Sequence, residues 1–122
     1  MSKPRVLIVE DEIIIAWDLK RTLERLGNDV VAIASTAATA VDIARSSRPD
    51  LILMDIILKG SRTGIDAALE IRRFSDVPIV YLTGNAHLMN DPAILASRAQ
   101  GVFSKPPSEE HLLQMLASAR AS

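Results

Sequence analysis

The sequence predicts an α/β domain of the doubly wound type, a five-stranded parallel sheet with helices on both faces, on three observations. Short β-branched runs alternate with helix-length segments along the chain. Several of these runs, such as Val6-Leu7-Ile8-Val9 and Leu51-Ile52-Leu53-Met54, are apolar at every position, as strands covered on both sides must be. The length of 122 residues suits one compact domain with little left over, so a single domain over residues 1–122 is expected.

Taken in order, the first strand is expected over Arg5 to Val9, and the helix after it places Ile15, Leu19, Leu23 and Leu26 on one core-facing stripe. The second, third, fourth and fifth strands are expected over Val30 to Ala34, Leu51 to Met54, Val77 to Leu82 and Val102 to Ser104. Asn90-Asp91-Pro92 reads as a helix start with proline in the first turn, which leaves a long loop from Gly84 to Asn90. The stretch Ala117 to Ser122 reads as a helix end, and no output domain is expected beyond it.

Composition excludes whole classes of function. Lys and Arg number 14 against 15 Asp and Glu, so no basic excess exists to neutralise a nucleic-acid backbone. Without cysteine there can be no disulfide scaffold, thiolate zinc site or cysteine nucleophile. The N-terminal apolar run is too short for a signal peptide or a membrane span, so a cytoplasmic protein is expected. Gly-x-Ser-x-Gly, P-loop and Gly-x-Gly-x-x-Gly motifs are all missing, and His87 and His111 show no metal spacing and read as solvated.

Right-handed crossovers gather the carboxyl ends of parallel strands along one edge, where ligands of such sheets bind. On that edge the first strand ends in Glu10-Asp11-Glu12, the third in Asp55, the fourth in Thr83-Gly84 and the fifth in Lys105-Pro106. Converging carboxylates repel, and a hard divalent cation with oxygen ligands relieves them. Mg²⁺ fits Asp11, Asp55, a backbone carbonyl and water, with Glu10 acting partly through water. The acids after the first strand could instead simply favour the dipole of the following helix. Asp55, directly after an apolar run, could attack a phosphoryl group, with Thr83 and Lys105 offering a hydroxyl donor and a positive charge to its oxygens.

Glu10-Asp11 after Val6 to Val9, Asp55 after Leu51 to Met54, Thr83-Gly84 after Val80-Tyr81-Leu82, and Ser104-Lys105-Pro106 together resemble the receiver domain of two-component response regulators. The resemblance spans essentially the whole chain and implies a flavodoxin-like fold. It further implies that Asp55 accepts a phosphoryl group from a sensor histidine kinase or a histidine phosphotransfer protein. Glu10 and Asp11 would hold Mg²⁺ with Asp55, Thr83 would contact the phosphoryl group and Lys105 would pair with it. Such a domain assists its own phosphorylation and dephosphorylation without being an enzyme, and signals to a downstream protein target through contacts.

The chain departs from the family pattern in several places. Lys59 stands where receivers commonly carry proline, and Gly64 comes one residue late. With Gly60 and Gly64 both present, the segment from Asp55 to Gly64 is expected to be mobile until ordered. Val102 occupies the position of the aromatic switch residue, so a ring rotamer cannot relay the signal, and Phe103 should face the opposite side of the sheet. Ile57 and Asn85 flank the path of a hydrolytic water, and apolar Ile57 cannot hold it, so the phosphoryl lifetime is expected to depend on Asn85 and access.

Ile14, Trp17 and Arg21 point away from the first helix's core stripe, which suggests a docking patch for the histidine-bearing helices of the phosphodonor. Two other functions compete with the receiver reading. One is a non-phosphorylated pseudo-receiver or adaptor, against which the full acid, hydroxyl and lysine set argues. The other is a Mg²⁺-dependent phosphatase of the haloacid dehalogenase type, whose second acid would fall where this chain has Ile57.

Overall fold

Five parallel strands stack in the order β2-β1-β3-β4-β5. The structure is a computed structural model that describes residues 3–120, so Ala121 and Ser122 of the expected helix end lie outside the described residues. The elements run β1 (Arg5–Val9), α1 (Ile13–Arg25), β2 (Asp29–Ala34), α2 (Ala37–Ser47), β3 (Leu51–Asp55), α3 (Gly64–Ile71) and β4 (Ile79–Thr83). A 3₁₀ turn (Ala86–Asn90), α4 (Pro92–Ala96), β5 (Gly101–Ser104) and α5 (Glu109–Arg120) complete them.

The two-residue period of the strands divides the core in two. Leu7, Val9, Ile52, Met54, Ile79 and Tyr81 face one layer, where they meet buried residues of α2 and α3. Val6, Ile8, Leu51, Leu53, Val80 and Leu82 face the other, against α1 and α5. The unbroken apolar runs are therefore what a doubly covered sheet requires, as the sequence predicts. Val102 packs into the first layer and Phe103 into the second, on opposite faces as expected.

Element boundaries differ in ways the hydrogen bonds explain. β4 begins at Ile79 instead of Val77, because Pro78 has no N–H to give a ladder while the Val77 carbonyl is taken by Arg72 Nη1 at 2.6 Å. The buried stripe of α1 is Ala16, Leu19 and Leu23, with Ile15 and Leu26 at its margin, since small Ala16 lets the helix approach the sheet where a branched side chain could not. The stretch from Gly84 to Asn90 is not an unstructured loop, since Ala86–Asn90 form a 3₁₀ turn capped by Asn85, and α4 starts at Pro92 behind an Asp91 cap. His111 is half-buried, its ring 5.2 Å from that of Phe103, so it is not the solvated residue the sequence suggested.

The segment between β3 and α3 is anchored at several points. Ile56 and Leu58 are buried, Lys59 bridges to Thr36, and Thr63 forms a capping box with Asp66. Gly60, at φ +94°, makes the turn that an L side chain rarely allows. Gly64 serves a different purpose from the mobility expected of it. It is buried at the first turn of α3, donates its N–H to the Ile56 carbonyl at 2.7 Å, and a Cβ there would lie 1.9 Å from the Asp55 carbonyl oxygen. The missing side chain is thus what seats α3 against the end of β3. Gly64→Ala should cost about 3 kcal/mol of unfolding free energy, because the obstacle is backbone that cannot rotate aside; urea denaturation of the two proteins reads it directly.

Candidate functional site

The parallel ladders bring four strand ends to one rim. Glu10 and Asp11 follow β1, Asp55 closes β3, Thr83 closes β4, and Lys105 follows β5 with its N–H donated to the Thr83 carbonyl at 2.9 Å. The Lys105–Pro106 peptide is cis.

Lys105 lies at the centre. Its Nζ donates to Asp55 Oδ2 at 2.7 Å and pairs with Glu10 Oε1 at 2.5 Å. Asp55 Oδ1 accepts the Ile57 N–H at 3.3 Å, and Glu10 Oε2 accepts the Glu12 N–H at 3.1 Å. Glu10 Oε1 is buried, with the lysine ammonium as its charge partner. Burial pulls the Lys105 pKa down, yet its hydrogen bonds and Coulomb attraction to Asp55 and Glu10 outweigh that and hold it above the ordinary lysine value. The ammonium is therefore charged at any physiological pH.

Glu10, Asp11 and Asp55 offer carboxylate oxygens that all lie within 4.8 Å of one another, and among the described residues this is the cluster able to hold a metal ion. Three carboxylates around one ammonium leave the rim with an excess of negative charge, and a small cation is what such a donor set accommodates. The sequence brought these residues together correctly but gave no sign that Lys105 would span two acids. The only signal available was the count of charges at the strand ends.

Thr83 is buried at the rim, with its hydroxyl turned toward its own loop. Oγ1 accepts the Asn85 N–H at 3.0 Å and its O–H faces the Asn85 carbonyl at 3.4 Å, so the donor role expected of it requires the hydroxyl to turn away from that carbonyl. Ile57 is exposed beside Asp55, and His87 is exposed within the 3₁₀ turn.

On α1, Ile14 is 78% and Trp17 61% exposed, with Arg21 exposed beside them, as the helical phase predicted. Ile13 is exposed too and extends the apolar patch, a residue the sequence reading did not single out. The patch borders a groove of about 730 Å³ between α1 and the segment after β5, lined by Ile14, Trp17, Arg21, Lys105, Pro106 and Leu112. An Arg25–Glu109 ion pair at 3.1 Å joins its far walls.

Comparison with known proteins agrees with this geometry. The family model described as response regulator receiver domain matches residues 6–117. The phyllosphere-induced regulator PhyR of Methylorubrum extorquens is 43% identical over 79 residues, 64% of this chain and 30% of that protein. The transcriptional regulatory protein PdtaR of Mycobacterium tuberculosis is 44% identical over 79 residues, 65% of this chain and 38% of that one. The chain thus spans well under half the length of these curated relatives. Among solved structures, the signal receiver domain of a modulated diguanylate cyclase from Desulfovibrio desulfuricans superimposes with a TM-score of 0.88 at 30% identity, covering 97% of this chain and 94% of that one.

Removing the shared cation tests how the rim is held together. Lys105→Met leaves Glu10 and Asp55 facing each other without an ammonium, and should destabilise the fold by about 3 kcal/mol in chelator. Addition of a divalent cation should recover part of that loss, which a melting curve with and without metal will show.

Proposed function

This chain belongs to the family of response regulator receiver domains, and from that premise we propose that Asp55 is its phosphoacceptor, loaded from a phosphohistidine and cleared by water. The observation that carries the reading is the Lys105 ammonium bound to Asp55 at 2.7 Å inside a three-carboxylate cluster. A carboxylate so placed is held in a fixed position, and it attacks phosphorus when the charge on the phosphoryl oxygens is drawn off.

In the forward step a carboxylate oxygen of Asp55 forms a P–O bond as the P–N bond of the donor imidazole breaks, and the imidazole leaves with its electron pair and takes up a proton. In the reverse branch water attacks the phosphorus, the Asp55 P–O bond breaks, and inorganic phosphate departs with the free carboxylate restored. Mg²⁺, the cation we assign to the cluster, would be held by Glu10, Asp11 and Asp55 and would supply charge neutralisation at the phosphoryl oxygens. The convergence of the three carboxylates to within 4.8 Å of one another supports that assignment. Lys105 pairs with a phosphoryl oxygen once Asp55 is esterified, and Thr83 donates to another after leaving Asn85.

The donor is a sensor histidine kinase or a histidine phosphotransfer protein, and we assign its docking to Ile14, Trp17 and Arg21. The phosphorylated domain then acts on a downstream protein, in the cytoplasm. No helix among the described residues is long and apolar enough to cross a membrane. Ile57, apolar and exposed, stands where an aspartate-nucleophile phosphatase needs its second acid, so turnover of phosphomonoesters is not expected.

Incubation with Mg²⁺ and acetyl phosphate should add one phosphoryl mass to the intact wild-type protein and none to Asp55→Asn or to wild type in chelator. An adduct that survives Asp55→Asn would refute the assignment. Separately, Trp17→Ala should slow phosphotransfer from the cognate protein donor by about tenfold or more, as loss of a buried aromatic anchor does. The same variant should load from acetyl phosphate at the wild-type rate, since the small donor needs no docking surface.

A further inference from the structure

Helix α4 is five residues long, and none of them is fully buried. A helix so short has too few internal hydrogen bonds to stand alone, so its neighbours must hold it. Ala93 and Ile94 pack against the core, and polar contacts tie down the helix's C-terminal end. Ser97, the residue that closes α4, is fully buried, and its Oγ accepts the hydroxyl of Tyr81 at 2.8 Å while donating to the Ile94 carbonyl at 2.7 Å. Tyr81 is itself fully buried in β4, in the core layer against which Ala93 and Ile94 of α4 pack.

Arg72, which closes α3, completes the contact from a third element. Its Nε donates to the Ser97 carbonyl at 2.7 Å and its Nη1 to the Val77 carbonyl at 2.6 Å. One guanidinium thus joins the end of α3, the approach to β4 and the end of α4. The planar fork suits it to several carbonyls at once.

The other end of this segment hangs on Thr83. Asn85 donates its N–H to Thr83 Oγ1 at 3.0 Å, and its side chain in turn caps the 3₁₀ turn by accepting the His87 N–H at 3.0 Å. A χ1 rotation that brings the Thr83 hydroxyl onto a phosphoryl oxygen takes away the acceptor of Asn85. Tyr81 and Thr83 lie two apart on one strand and so point to the same face, which puts the fixed contact and the movable one side by side. Val102, packed into that same layer, has no ring to swing between them.

We propose that Tyr81, Ser97 and Arg72 form a latch that pins the C-terminal turn of α4 to β4 and α3, so that phosphorylation remodels the segment from Gly84 to Asn90 around a stationary α4 end. Tyr81 acts as a positioning residue, through Ser97, and the inference rests on the phosphorylation of Asp55 proposed above.

Hydrogen exchange by mass spectrometry, on peptides covering 84–90 and 93–98, tests it with and without Mg²⁺ and excess acetyl phosphate, occupancy being read from intact mass in the same samples. In the wild type, phosphorylation should speed exchange in 84–90 by about tenfold and change 93–98 by less than about twofold. Tyr81→Phe, which keeps the ring and removes the hydroxyl, should load to the same occupancy yet let phosphorylation speed 93–98 by about tenfold as well. Ser97→Ala should behave alike and serves as the second variant. A wild type whose 93–98 responds as strongly as 84–90 overturns the proposal, as does a Tyr81→Phe protein whose 93–98 is faster by one constant factor in both states. Without any adduct the phosphorylation reading itself fails, and the unphosphorylated comparison then decides the latch: faster exchange of 93–98 in Tyr81→Phe supports it, and unchanged exchange refutes it.

Discussion

A single ammonium group, that of Lys105, is shared by two carboxylates that arrive on separate strands. Glu10 stands after β1 and Asp55 at the end of β3, with Lys105 following β5, and none of the three is close to the others in sequence. Two buried anions at that separation repel by several kcal/mol unless a positive charge lies between them, about 4 kcal/mol at 4 Å for an effective dielectric of 20. The rim can therefore exist only where the sheet order puts these strand ends side by side. Everything else at the edge is arranged around that pairing, with Asp11 beside it and Thr83 held back by Asn85.

The same interaction makes the rim responsive. Lys105 balances only part of the charge of three carboxylates, so the cluster favours a further cation, and a change of charge at Asp55 alters the partner of the lysine. What transmits such a change is a matter of stiffness. Asp55 is fixed on its far side by Gly64, whose missing side chain lets α3 begin against the Asp55 carbonyl. The β3–α3 segment is stapled by buried Ile56 and Leu58, by the Thr63–Asp66 box and by an Arg62–Glu70 ion pair at 2.5 Å. The segment after Thr83 has only a few local caps, which makes it the softer of the two.

Much of this was legible in the chain. Apolar runs at every position of β1 and β3 can be satisfied only in a sheet covered twice, and parity then assigns each residue to a face before any coordinates exist. The placement of Glu10, Asp11, Asp55, Thr83 and Lys105 on one rim follows from strand order and handedness, because parallel strands end on one side. The exposed phase of Ile14, Trp17 and Arg21 follows from the helical repeat alone. Less was legible where a residue's role depends on a neighbour distant in sequence. Gly64 read as a source of mobility, whereas the Asp55 carbonyl makes it a packing position. His111 read as solvated, and Phe103 covers it.

The sequence by itself determined the class of fold, the edge where the chemistry gathers and the kinds of group found there, since these depend on periodicity and on the order of elements along the chain. Tertiary structure alone decided which oxygen meets which nitrogen: that Lys105 spans Glu10 and Asp55, that the Thr83 hydroxyl is turned to Asn85, and that Arg72 and Tyr81 converge on Ser97. The reason is physical. Periodicity fixes the face on which a side chain lies, but hydrogen bonds between distant elements depend on helix position to within an ångström, and that is set only when both layers of the core pack together.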